Sequence, residues 1–166
     1  MKTATLCFLL RDGSPAEILL GRKKRGFGTG KINGFGGKVR PGESPVAAAV
    51  REVHEEVGLR VSPEALAARG SITFVFPGNA AFDHHVHLFV CRAWRGTPVE
   101  TAEMAPEWFP ADDPPFSEMW ADDAIWLPRV LAGETIDAAF AFAADCESVA
   151  VWRIRTVGVG AGPTLE

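Results

Sequence analysis

Apolar residues along this chain fall into short runs separated by glycine- and proline-rich breaks, and their period assigns most of the elements. Thr3 to Leu10 reads as a buried strand, which Asp12-Gly13-Ser14-Pro15 turns into a second strand from Glu17 to about Lys24. Arg25 to Gly30 is loop, punctuated by glycine. The period then changes. Val46, Val50, Val53 and Val57 recur at i, i+4, i+7 and i+11, the apolar stripe of a helix. Ser44 is its N-cap, Pro45 its first helical residue, and Gly58 its stop. Alternation returns in Gly70 to Phe76, where Ile72, Phe74 and Phe76 share a face, and in a long strand from Phe82 to Arg95. Trp108-Phe109 fits a short strand before the proline-broken stretch Pro110 to Pro115. Met119 to Leu131 reads as a second helix, with Pro128 bending it or marking its first stable turn. Thr135 to Phe142 and Ser148 to Arg155 form a closing hairpin, and the glycine-rich tail from Val157 is expected to be disordered.

A helix embedded among many strands, with no repeat and no linker, predicts a single domain over residues 1–157, an α/β/α or α+β sandwich around a mixed sheet. The 166 residues suffice for one core, and 47% hydrophobic content with mean hydropathy +0.06 describes a soluble globular chain. Net charge −4 argues against a nucleic-acid polymer as partner; the local cluster Arg22-Lys23-Lys24-Arg25 instead suits a small polyphosphate. Cys7, Cys91 and Cys146 are odd in number and widely spaced, as free thiols in a reducing cytoplasm would be. The N-terminal apolar run is too short for a signal or a membrane span. A cytoplasmic monomer is expected.

The candidate chemistry sits on the first helix. Glu52, Glu55 and Glu56 project about 130° away from the valine stripe, on adjacent turns of one face. Three like charges so placed repel one another, and a hard divalent cation reverses that penalty. Immediately upstream, Gly34-Phe35-Gly36-Gly37-Lys38 reads as a loop whose backbone can approach a ligand closely.

From Gly37 to Leu59 the residues spell G-x5-E-x7-R-E-U-x-E-E-x-G-U, with U apolar and every fixed position filled. This run resembles the signature of the Nudix hydrolases, which implies their α/β/α sandwich and a divalent metal, Mg²⁺ with Mn²⁺ as a substitute. The Gly36 carbonyl and Glu52, Glu55 and Glu56 match its metal shell, and Glu43 with Arg51 matches an orienting salt bridge. Outside the signature, Leu19 to Gly28, Asn33 to Val39, Gly96 to Glu100 with Glu103-Met104, and Met119-Trp120-Ala121-Asp122-Asp123 with Trp126 resemble the oxidised purine nucleoside triphosphate hydrolases. That resemblance runs from about Thr5 to Val157. It implies Asn33, Asp122 and Asp123 at the edge of a purine base, Trp120 and Trp126 as walls, and Phe27, Phe74, Thr5 and Lys23 in the same pocket. Phe35, Gly37 and Lys38 would line the substrate beside them. Glu100 matches a glutamate that binds metal or assists the attacking water.

Adjacent aspartates facing one ligand cannot both ionise cheaply, so one should hold a proton and donate. A neutral and a charged carboxyl together suit more than one oxidised purine edge. The implied reaction is attack of water on the phosphate chain, with Glu56, Glu55 or else Glu100 as base, giving a nucleoside monophosphate and pyrophosphate. His84 stands where the family often has a pocket methionine. Of His84, His85 and His87 only the last two share a strand face, and a structural or exposed role is expected for all three. Two other readings stay open: a Nudix hydrolase of a dinucleoside polyphosphate, nucleotide sugar or capped RNA, indifferent to Asn33 and Asp122, and a non-catalytic nucleotide-binding module, free to lose a glutamate.

Overall fold

The apolar stretch near the N-terminus becomes the middle of a sheet. In the computed structural model, which describes residues 1–157, β1 (Lys2–Arg11) has neighbours on both sides and against its register. β2 (Glu17–Lys23) and β4 (Phe35–Lys38) pair with it antiparallel, and β6 (His84–Cys91) pairs parallel over eight positions from Lys2↔His84 to Leu9↔Cys91. β3 (Ile32–Asn33) and β7 (Met104–Pro110) pair with β2, while β5 (Leu66–Val75), β8 (Ile136–Phe142) and β9 (Val149–Thr156) extend the other side. The order is β3-β2-β1-β6-β5-β8-β9, a mixed sheet with one helix packed on each face. α1 (Pro45–Val57) contributes Ala49, Val53 and Val57 to one core, and α2 (Asp123–Leu131) contributes Trp126, Leu127 and Val130 to the other. This is the expected α/β/α arrangement.

The ends of α1 follow their residues. Ser44 Oγ accepts from the Ala47 N–H at 3.1 Å, and Gly58, at φ 74°, donates its N–H to the His54 carbonyl. An N-cap of this kind contributes about 1 kcal/mol. The buried face is rotated from the expected one: Val46 and Val50 are half-buried, and Ala48, Ala49 and Glu56 complete it. One of the three glutamates therefore lies inside.

Several boundaries differ from expectation, and β5 starts at Leu66 rather than Gly70. The glycine-rich segment after Asn33 is strand rather than loop, because β4 hydrogen-bonds to β1. A Cβ on Gly36 would lie 1.8 Å from the Thr5 carbonyl oxygen, so only glycine permits that approach. β6 begins at His84, since Ala80–Phe82 forms a single 3-10 turn, and it ends at Cys91. β7 is longer than the two aromatic residues suggested, because β2 pairs with it from Met104 to Pro110. α2 starts at Asp123, after a 3-10 turn at Phe116–Glu118, and Pro128 sits inside the helix rather than at its start. The tail expected to be disordered lies outside the described residues beyond Val157, whose own N–H donates to the Thr135 carbonyl. No helix among the described residues is long and apolar enough to cross a membrane.

Candidate active site

The carboxylates of α1 have three different environments. Arg51 forms a bidentate pair with Glu43 (2.8 and 3.0 Å), reaches Glu52 at 2.7 Å, and holds the Lys38 carbonyl at 3.0 Å. It thereby ties the helix to the end of β4. Hydrogen bonds from Arg51 and the Arg40 N–H hold Glu43 down to about pKa 2, and Arg51 itself is raised by its Glu43 bonds. Glu55 is 40% exposed and makes only longer contacts, to Arg51 at 3.3 Å and Arg40 at 3.5 Å. Glu56 is 4% exposed and accepts the Gly36 N–H at 2.8 Å. Burial pushes its carboxyl up to about 8, against that hydrogen bond and with help from the charges of Glu52 and Glu103.

These residues suit a hard cation. A buried carboxyl flanked by like charges is unfavourable unless it is protonated or neutralised. Gly37 leaves room for Glu52, since a Cβ there would come within 2.5 Å of Glu52 Oε1. Oxygen donors on one helix face beside the Gly36 backbone match the ligand preference of Mg²⁺. No three His, Cys, Asp or Glu side chains among the described residues are already drawn together as a ligand set; Arg51 bridges Glu52 and Glu55, and Glu56 is held by the Gly36 N–H.

Glu56 also borders a cavity of about 210 Å³ that runs beneath the start of α2. Glu56, Gly36, Gly37 and Lys23 line it, and so do Asn33, Asp122 and Asp123. Asp122 occupies the N-cap position of α2 yet caps nothing with its side chain: its Oδ2 accepts from Trp126 Nε1 at 2.6 Å. Asp123 Oδ2 accepts the Trp120 N–H at 3.0 Å. Both aspartates are 2% exposed. Burial raises Asp122 to about 6, opposed by the Trp126 bond. Burial, and then the charge on Asp122, raise Asp123 well above 3.8, opposed by the Trp120 N–H and by Lys31. The pair therefore shares one readily held proton, chiefly on Asp123.

Such carboxyls hold protons that the unfolded chain releases near its ordinary pKa of 3.8, so their contribution is most favourable below that value. It weakens as pH rises through about 6 and beyond. Asp123→Asn, which keeps an acceptor for the Trp120 N–H, should flatten the fall in Tm between about pH 5 and 8. Thermal unfolding across that range measures it; an equally steep fall in the variant would remove Asp123 as the proton holder.

Most of the expected pocket residues meet at this cavity, including Thr5, Phe27, Phe74 and Trp120. Thr5 Oγ1 is buried there without a hydrogen-bond partner. Trp120 packs 5.1 Å from Phe27, and Trp126 borders the cavity while fully buried, its indole holding Asp122. Five expected site residues are not on the cavity's lining, among them Glu52 and Glu55 beside Arg51. The Phe35 ring is fully buried under α1, Lys38 is exposed at the end of β4, and Glu100 is 61% exposed and paired with Lys24 at 2.9 Å. From the same loop it is Glu103 whose charge acts on Glu56.

Sequence reasoning missed Lys31, Phe76 and Phe142. Lys31 Nζ lies 4.7 Å from the Trp120 ring centre and acts on Asp123. Its position two residues before Asn33 on an extended segment was the available signal. Phe76 and Phe142, stacked at 4.7 Å, read as core in any alternating strand. His84, expected in a structural or exposed role, borders the cavity at the position that the resemblance gives to a pocket methionine. His85 and His87 do pack together, 5.1 Å apart.

Residues 1–130 match the NUDIX domain family. Over 131 residues the chain is 48% identical to the oxidized purine nucleoside triphosphate hydrolase of Danio rerio, covering 79% of this chain and 82% of that one. It is 41% identical over 157 residues to the protein of the same name from Mus musculus, covering 95% and 98%. Among solved structures, a mutator MutT protein from Bacillus halodurans superposes with TM-score 0.79 over 93% of this chain and 97% of that one; at 23% identity the likeness is one of fold.

Proposed function

Because the chain belongs to the NUDIX family of hydrolases, we propose that it hydrolyses oxidised purine nucleoside triphosphates to the monophosphate and pyrophosphate in a Mg²⁺-dependent reaction, thereby cleansing the nucleotide pool. The observation that carries this reading is the single cavity joining Asn33, Asp122 and Asp123 to Glu56 and Gly36. A base-reading end and a carboxylate end in one space suit a nucleotide whose base is recognised and whose phosphates react.

At the base end, Asn33 offers both a donor and an acceptor. Protonated Asp123 donates while Asp122, its orientation held by Trp126, accepts. The proton can move between the two carboxyls, which lets one pocket meet the edges of oxidised guanine and oxidised adenine. At the other end Glu52, Glu55, Glu56 and the Gly36 carbonyl would hold the cation, with Glu100 a further candidate. Bound there, it would supply charge neutralisation for the phosphates and acidify a water. Lys23 adds a cation beside Glu56, and Arg51 orients Glu52 from behind. The water's proton goes to a carboxylate. Glu55 has the most open one on α1, Glu56 is held by Gly36, and Glu100 by Lys24.

The test is a Mg²⁺-dependent turnover panel with product analysis, comparing 8-oxo-dGTP and 2-oxo-dATP with dGTP, dATP, diadenosine polyphosphate and ADP-ribose. At least tenfold higher kcat/KM for an oxidised triphosphate, with pyrophosphate released, is expected. Better cleavage of the dinucleotide or the sugar would keep the glutamate helix and discard the substrate. Asp122→Asn should lower kcat/KM at least tenfold for one oxidised purine relative to another, because an amide cannot exchange a proton with Asp123 (about 1.4 kcal/mol per decade). An unchanged profile would exclude this mode of base recognition.

A further inference from the structure

One nitrogen in the cavity wall is unclaimed. His84 opens β6, and its ring packs against Phe74 (5.2 Å, 28° between planes) and Phe76 (6.1 Å, 10°), so a wall of phenylalanines carries one imidazole. Its Nδ1 lies against the Phe82 carbonyl oxygen. A carbonyl only accepts, so Nδ1 bears the proton and Nε2 of the neutral ring is an acceptor. Burial lowers the pKa of this histidine and favours the neutral form. The nearest carboxylate does not claim the ring, because Asp83 Oδ1 accepts the Phe76 N–H at 2.7 Å. Nε2 has no partner among the described residues and is not sealed off, since the buried unpartnered side-chain atoms there are Thr5 Oγ1 and Arg69 Nε.

We propose that His84 is a specificity-determining residue of the base pocket, its Nε2 accepting the N7–H of an 8-oxopurine. Oxidation of C8 to a carbonyl places a proton on N7, where the unoxidised purine carries a lone pair. Facing Nε2, that lone pair would leave two acceptors opposed and unpaired, which is unfavourable in a wall of aromatic rings. The aspartates and Asn33 offer the rest of the base its contacts, whereas His84 responds to the one atom whose hydrogen-bonding sense C8 oxidation reverses.

This inference rests on the oxidised-purine reading, and the experiment separates the two. Equilibrium binding of 8-oxo-dGMP and dGMP is measured for the wild type and for His84→Phe, His84→Met and His84→Gln, with circular dichroism to confirm fold. The wild type should favour 8-oxo-dGMP, and the two apolar variants should each reduce that preference about tenfold. The Gln variant, which keeps an acceptor, should retain most of it. Either apolar variant suffices should the other not fold. Full preference in a folded apolar variant would overturn the role of His84 and leave the oxidised-purine reading standing. Equal loss in the Gln and apolar variants would assign the effect to packing and overturn the acceptor role. A wild type that favours neither monophosphate would remove the oxidised-purine reading and this inference with it.

Discussion

Glu56→Gln is expected to lower kcat by two decades or more while the fold stays intact. The amide has the shape of the carboxyl and keeps an oxygen for the Gly36 N–H that Glu56 now accepts at 2.8 Å. In the cation-free protein the carboxyl, raised to about 8 by burial, is largely protonated at neutral pH, so a neutral side chain suits the same space. What the variant cannot supply is a charged oxygen when a cation is present. Thermal unfolding separates these effects. Saturating Mg²⁺, at about 100 times its Kd, should stabilise the wild type by about 2.7 kcal/mol, and the variant by much less. Near-normal turnover in a folded Glu56→Gln protein would take Glu56 out of the metal site.

Chelation of divalent cations should abolish turnover and leave binding of an oxidised purine monophosphate nearly unchanged. Without a cation, Glu52 and Glu55 meet a polyphosphate as bare negative charges, offset only by Lys23 and the arginines already paired to them. The residues that would read the base, Asp122, Asp123 and Asn33, line the same cavity; Trp126 and the Trp120 N–H hold the two aspartates, and the Gly34 N–H holds Asn33 Oδ1. Turnover with excess chelator, beside calorimetric binding of 8-oxo-dGMP, tests both halves. Persistent metal-free hydrolysis would refute the reaction as proposed. Loss of monophosphate binding would show that the two ends of the cavity are not independent.

Much of this was readable in the order of residues, for a common reason. Ser44, Pro45 and Gly58 act within one turn of their own positions, so the limits of α1 follow from local stereochemistry. The Asp12-to-Pro15 turn and the closing hairpin are likewise short-range. The glutamate spacing placed Glu52, Glu55 and Glu56 together because helical geometry does so in any context. The filled signature then led to the family that residues 1–130 match.

Tertiary structure decided which of those residues differ from one another. Spacing treats three glutamates alike, but the packing of β4 against β1 puts Glu56 inside beneath Gly36 and leaves Glu55 facing solvent. The same pairing made strand of a segment whose glycines alone read as loop. Asp122 and Asp123 are neighbours in the chain, yet one accepts an indole N–H and the other a backbone N–H, and burial followed by the charge of Asp122 is what raises Asp123. His84 and Lys31 came to the cavity through strands and loops far apart in sequence, as did Glu103 to Glu56. By itself the sequence determined most of the periodic elements, the caps of α1 and its glutamate face, since these depend on contacts within a few residues. Cavity, burial and protonation depend on which distant segments exclude water from a side chain, and only the folded chain decides that.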